Sequence, residues 1–300
     1  MLNMKSKKHS IFIVTILSTL LISFSESFSN PNRSNSEEIR WQDMELEVDS
    51  LPFQKKFIDS LKNAYSVSPR INALRVIQKP IPCVAETLVF QINWGPINAG
   101  FVILTTTPDP INNTILLGGK ALSNNFVSAF YRMRDYVIST IDADGLYPLF
   151  FEQHIREGKK YKADRWVIYD HEAQKAHIQE KTFKTVEIPR FSHDYLSVIY
   201  QVRSMTFSPG DTFSFHTYLN KGIHPLFFKC KEKKLINVHA GTFTCTLVEP
   251  KFTGDRRAFN KNDKLEVWLA DDGYRVPVLI KSKIRFGTIT AQLHYQNHSK

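Results

Sequence analysis

Cysteine and glycine are both scarce in this 300-residue chain, and the motifs that would put them to work are missing. Three cysteines, Cys83, Cys230 and Cys245, form no C-x-x-C, and there is no H-E-x-x-H. His154, His171 and His177 have no second ligand at i+2 or i+4, so no metal and no cofactor is expected. With only twelve glycines the chain contains neither G-x-S-x-G nor a glycine-rich phosphate loop. Nucleophile-plus-base chemistry therefore has no local signature, and a non-enzyme is expected. No basic run is interleaved with aromatics as single-strand binders require, so nucleic acid is not expected as a partner.

Long hydrophobic runs are lacking too, with one partial exception. Ile11 to Phe24 is apolar but interrupted by serines and a threonine, and it is shorter than the roughly 20 residues that a helical span needs. Lys5, Lys7 and Lys8 precede it and Ser25, Ser27 and Ser29 follow, the order of a secretory signal peptide. Residues 1–29 are read as that signal, which predicts an exported protein, in the periplasm or on the outer envelope surface of a Gram-negative bacterium. The net charge of +10 falls to +8 on its removal, 36 basic against 28 acidic residues, and suits an anionic envelope surface or simple solubility.

Residues 30–82 form a leader of different composition, from NPNRSNSEE to IQKPIP. Within it Phe53, Phe57 and Leu61 recur every four residues opposite Lys55, Lys56, Asp59 and Lys62, which predicts an amphipathic helix opened by Leu51-Pro52. Such a helix either covers an edge of the domain that follows or docks a partner or membrane.

From residue 83 to 300 the period changes to two. Leu88, Phe90, Ile92 and Trp94 alternate with Thr87, Val89, Gln91 and Asn93, and the pattern returns most fully from Lys264 to Leu293. Further strands are predicted at 136–141, 147–155, 161–169, 176–180 and 212–219, divided by turn signals at Gly95-Pro96, Asp144-Gly145, Glu157-Gly158 and Pro209-Gly210. Gly118-Gly119 marks a sharp bend or a close backbone approach. The fold class is mainly β, one strongly curved antiparallel sheet or barrel-like domain. One internal helix interrupts it after Pro189, where Leu196, Ile199, Tyr200 and Arg203 fall at helical spacing, with Ser192 or Asp194 as a cap.

Asp272-Gly273, between two alternating runs, predicts a hairpin turn, and Asp272, Gly273 and Arg275 are read as structural rather than chemical. Ion pairs are expected for Asp135 with Arg132 or Arg134, and for Asp194 with Arg203; such pairs fix register more often than they catalyse. Cys230 shares strand parity with Leu226 and Phe228, and Cys245 with Phe243 and Leu247. The two thiols are therefore either buried small hydrophobes or a disulfide. Twenty-two phenylalanines either fill the interior or line a cavity. The candidate ligand face is Phe213, Phe215 and Phe228 with Asp194 and Tyr200 on the helix.

Five segments in order, ETLVFQINWGPINAGFVIL, FYRMRDYVISTIDADGLYP, HDYLSVIYQVRSMTFSPGDTF, HAGTFTCTLVEP and LEVWLADDGYRVPVLIKSKIRFGTITAQL, resemble domain-of-unknown-function family 3108 over about residues 85–293. The resemblance implies an exported protein, a single curved antiparallel β domain and no established activity. It places recurring positions at Trp94, Gly100, Arg134, Asp135, Asp194, Ser197, Tyr200, Gly241, Asp271, Asp272, Arg275 and Pro277. The function expected is a non-catalytic periplasmic protein that holds an amphipathic envelope molecule, a lipid or lipid-linked saccharide, in its aromatic-lined face. The alternative is a structural or assembly partner of an envelope complex.

Overall fold

A computed structural model describes residues 59–60, 63, 74–77, 84–219, 222–252, 264–284 and 287–299. The leader-helix positions Phe53, Phe57 and Leu61 lie outside these residues, as does Cys83.

The period-two alternation becomes fourteen strands: β1 (Ala85–Trp94), β2 (Ile97–Asp109), β3 (Thr114–Ser123), β4 (Arg134–Asp142), β5 (Pro148–Glu157), β6 (Tyr161–Asp170), β7 (Lys175–Gln179), β8 (Phe183–Glu187), β9 (Thr212–Leu219), β10 (Gly222–Val238), β11 (Gly241–Phe252), β12 (Lys264–Ala270), β13 (Pro277–Ile284) and β14 (Gly287–Ser299). All belong to one antiparallel sheet in the order β8-β7-β6-β5-β4-β3-β2-β1-β14-β13-β12-β11-β10-β9. Each half is a meander of sequential neighbours, and the halves meet where β1 pairs with β14, Ala85 opposite Ser299 and Trp94 opposite Ile289. Two short helices complete the described elements: α1 (Asn125–Tyr131) between β3 and β4, and α2 (Ser197–Arg203) between the edge strands β8 and β9.

Side-chain parity gives the sheet an inward face. Leu88, Phe90 and Ile92 of β1, Val102 and Leu104 of β2, Val137 and Ile141 of β4, and Ala291 and Leu293 of β14 are buried there in one core. Helix α2 packs across this face. Leu196 and Tyr200 join the main core, whereas Val198 and Val202 pack into a second cluster with Leu226, Phe228, Cys230, Val248 and Leu269. Burying an aliphatic side chain of this size contributes about 1.5–3 kcal/mol, so the two valines alone hold the helix firmly.

The glycine pair of β3 marks close approach without a bend. Register runs unbroken through Gly118 and Gly119 on both sides, and a Cβ on Gly118 would meet the Thr105 hydroxyl. Gly100 is stricter: its φ is +149°, and a Cβ there would lie 2.0 Å from the Leu122 carbonyl oxygen.

The turn at Asp272-Gly273 is longer than a two-residue hairpin. Residues 271–276 connect β12 to β13, and Asp272 Oδ1 accepts from the backbone N–H groups of Tyr274 and Arg275. Arg275, with φ +49°, takes the left-handed backbone of this turn. Aspartate can close such a turn through its own side chain, which removes the need for glycine.

Cys230 and Cys245 do not pair; both are free and buried. Cys230 lies opposite Val248, and Cys245 lies opposite Lys234, because a bulge in β10 between Cys230 and Lys233 shifts the register. Val248 and Cys245 are three residues apart on β11 and point to opposite faces. Beyond the bulge the β10–β11 hairpin lies against β14, with Ala240 N–H donating to the Leu293 carbonyl, and Ile236, Val238 and Phe243 extend the main core.

Candidate functional site

Alternation on β1 begins with a charge. Glu86 has the parity of Leu88, Phe90 and Ile92 and is 5% exposed. Arg203, in the last turn of α2, forks onto it, with Nη1 to Oε1 at 2.8 Å and Nη2 to Oε2 at 2.7 Å. The Tyr200 hydroxyl donates to Oε1 at 3.1 Å, and His298 Nε2 lies 2.9 Å from Oε2. The guanidinium also donates to the Tyr274 carbonyl at 3.0 and 3.1 Å, and the Tyr274 and His298 rings stack 4.0 Å apart. Burial alone would push the Glu86 pKa up, but the Arg203 hydrogen bonds outweigh it and hold the carboxyl below its usual range. Burial pushes the Tyr200 pKa well up. A permanently charged pair with a permanently protonated phenol offers no proton to exchange near neutrality; its role is to bolt α2 to β1.

Asp194 is the second anchor. Its Oδ2 accepts from the Ser139 hydroxyl at 2.6 Å, and its Oδ1 from the backbone N–H groups of Leu196 and Ser197 at 2.7 and 2.9 Å. The carboxylate thus satisfies the N-terminal donors of α2, whose own N-cap Leu196 has no side-chain bond to give. The expected pairing of Asp194 with Arg203 is not formed. They lie at opposite ends of the helix, about 13 Å apart at 1.5 Å per residue, and Arg203 is committed to Glu86.

His193 and Ser197 stand beside Asp194, with His193 Nδ1 3.2 Å from Ser197 Oγ. The three residue types of a nucleophilic triad are therefore adjacent, but Asp194 bonds Ser139 and the helix backbone and does not orient the imidazole. All three are at most 1% exposed, and burial pushes the His193 pKa well down. This constellation is packing chemistry.

Of the predicted ligand-face residues, three come together. Phe213 stacks on Phe228 at 5.1 Å, Phe215 meets Phe228 edge-on at 6.0 Å, and Phe207 stacks on Phe213 at 5.9 Å. These rings pack against Val198 and Val202 of α2, and Arg275 lies over Phe207 at 4.8 Å. Tyr200 turns instead to Glu86 and Asp194 to Ser139, so the five do not share one face.

Arg134 and Asp135 are neighbours on β4 and point to opposite faces, so they do not pair. Arg134 donates to the Ser123 and Met133 carbonyls at 3.0 and 2.7 Å. Asp135 accepts from the Arg156 backbone N–H at 2.9 Å and meets the carboxyl of Glu157; burial, and then this second acid, raise its pKa well above the usual range. Glu157 in turn accepts from the Tyr131 hydroxyl at 2.9 Å. On the other face His154 sits between two carboxylates, Asp164 at 2.6 Å and Glu152 at 2.7 Å. Its pKa is raised; burial opposes the shift, and the two hydrogen bonds prevail. Among the described residues no three His, Cys, Asp or Glu side chains are grouped as metal ligands.

Glu86 is the site residue that sequence reasoning missed. A charge at an apolar parity position within an otherwise hydrophobic strand was the available signal.

A family model, DUF3108, described as a protein of unknown function, matches residues 89–294. Among solved structures, a β-barrel-like protein of domain of unknown function DUF1849 from Brucella abortus aligns with TM-score 0.51 at 6% identity, covering 73% of this chain and all of that one. A protein with YmcC-like fold from Bacteroides fragilis aligns with TM-score 0.29 at 8% identity, over 74% of this chain and all of that one. No curated protein matches. The first likeness is one of fold.

Proposed function

The chain belongs to the DUF3108 family, and on that footing we propose that it is an exported, non-catalytic protein of the Gram-negative cell envelope that works as a structural or assembly partner through its outer surface. The observation that carries this reading is the occupation of the inward face by α2. The helix is fixed at one end by Asp194 and at the other by Arg203, and its valines cover the aromatic group that would otherwise hold a ligand. The charged n-region, apolar run and small-residue zone of residues 5–29 support export, to the periplasm or the outer envelope surface.

A second reading, retention of a lipid or lipid-linked saccharide, is favoured by one feature: Phe213 and Phe215, on the edge strand β9, are half-buried rather than sealed.

Native mass spectrometry of protein recovered from the periplasm, paired with cross-linking in intact cells, separates the two. The assembly reading expects the bare polypeptide mass and one recurrent protein adduct. A stoichiometric lipid adduct would overturn it in favour of the second reading.

A further inference from the structure

The meander divides the connections between two rims. One rim carries α1, the 158–160 turn and the 180–182 turn; the other carries the 143–147, 171–174 and 271–276 connections and the segment 188–211. On the first rim the exposed charges of these connections are Arg132, Lys159, Lys160 and Lys181, and the acid among them, Glu180, is bonded to Arg165 at 2.6 Å. On the second rim Asp271 is likewise bonded, to Lys233 at 2.6 Å, and Asp144, Glu172, Asp211 and Asp272 outnumber Arg190 and Arg275.

The basic rim also holds exposed aromatics. Phe126 and Phe130, at i and i+4 on α1, are 43% and 56% exposed and meet edge-on at 5.8 Å, and Phe183 at the start of β8 is 44% exposed. Single exposed apolar residues need no explanation, but three phenylalanines among the described connections of one rim, beside its basic residues, are a pattern.

The platform is rigid. Asn124 caps α1 by accepting from Val127 N–H at 2.8 Å and donates to the Asn98 carbonyl at 2.7 Å, while Val127 is fully buried beneath. Gly158 N–H donates to the Arg132 carbonyl at 2.7 Å, and Tyr131 reaches Glu157, so the helix and the lysine turn form one unit. Successive hairpins place α1, the 158–160 turn and the 180–182 turn about 10 Å apart along the rim, since neighbouring strands are spaced about 4.8 Å.

We infer that this rim docks on an anionic bilayer surface, with Phe126 and Phe130 entering the headgroup–acyl boundary and Lys159, Lys160, Arg132 and Lys181 meeting lipid phosphates. Aromatic side chains favour that boundary, and each basic residue at the surface adds attraction that salt screens. The acidic opposite rim fixes the orientation, because like charge keeps it away from the membrane. The inference is independent of the assembly reading.

The test is co-sedimentation of the protein as recovered from expressing cells, its N terminus defined by mass, with vesicles of 30% phosphatidylglycerol in phosphatidylcholine, against pure phosphatidylcholine. Three variants are compared after their melting temperatures are matched to the parent: Phe126→Ser with Phe130→Ser, Lys159→Glu with Lys160→Glu, and Lys175→Glu as an opposite-rim control. The expected result is binding to the anionic vesicles that weakens in 0.5 M salt, falls about tenfold or more in each double variant, and is unchanged by Lys175→Glu. Binding that survives both double variants, equal binding to both vesicle types, or no binding at all would overturn the proposal. A protein cross-link at position 126 with no vesicle binding would do so too, while leaving the assembly reading in place.

Discussion

Arg203 and Glu86, 117 residues apart in sequence, face each other as a two-pronged ion pair whose side chains are 3% and 4% exposed. Arg203 has no second carboxylate partner among the described residues, whereas Glu86 also meets His298 Nε2 at 2.9 Å. Removing one partner from such a pair costs about 3–5 kcal/mol, because the remaining charge stays buried and unpaired. Arg203→Met is expected to lower stability by that amount in chemical denaturation, whereas Glu86→Leu combined with Arg203→Met should recover most of it. A double variant as unstable as the sum of the singles would refute the pairing.

The same pair sets an acid limit. The Glu86 carboxyl is held below its ordinary value of 4.5, so its contribution is fully present above that value and is lost as pH falls through the depressed value. Thermal melts from pH 6 downward should show the parent losing stability below about pH 4.5, with a shallower loss in the Glu86→Leu, Arg203→Met variant.

Asp135 works in the opposite sense. Its raised pKa means that the favourable protonated form is complete below the ordinary value of 3.8 and is lost as pH rises through the folded value. Asparagine can still accept from the Arg156 N–H and can donate to Glu157, without the charge. Asp135→Asn is expected to match or exceed the parent by about 1 kcal/mol at pH 8 and to lose that advantage near pH 4. Equal pH profiles in the two proteins would count against a shared proton between Asp135 and Glu157.

Gly100→Ala tests the backbone. The substitution combines a φ of +149° with a Cβ driven into the Leu122 carbonyl, and should cost about 3 kcal/mol or more. A neutral effect on the denaturation midpoint would mean that β2 and β3 are further apart than described.

The thiols should be silent. Burial pushes the Cys230 pKa up to about 11 and the Cys245 pKa up to about 12. A thiol reagent at pH 8 should modify neither residue in the folded protein and both after denaturation without reductant. Peptide mapping that recovers them linked would contradict the opposed faces of β11.

Much of the fold was legible because period two is written residue by residue. Thr212–Leu219 emerges with the bounds predicted from Phe213 and Phe215 alternating with Ser214 and His216, and Ser197–Arg203 lies inside the predicted internal helix. What escaped had a different physical origin. Helix α1 buries only Val127, so no apolar period declares it. The parities of Cys230 and Cys245 hold within each strand, but the register sets Cys230 opposite Val248, an odd step from Cys245 on β11, so the two apolar sides are opposite faces, and strand parity alone does not give that register. Glu86 gave no local sign of its role because its partner lies more than a hundred residues away, and nothing nearby announces Arg203. The pairing expected for Asp194 failed because a carboxylate beside a helix start finds backbone N–H groups nearer than any guanidinium. The charge division between rims is invisible in sequence, where basic and acidic turns alternate along the chain and only the meander sorts them.

The seam between β1 and β14 has a consequence in time. Ala85 pairs with Ser299, so the central join of the sheet needs the first strand of the described domain and the last one together. Pairing at such separation is slow, because a loop of some two hundred residues must close before any contact rewards it. The two meanders can assemble locally, but the sheet stays divided until the final strand is available. A polypeptide built this way keeps its central join open until β14 has been made.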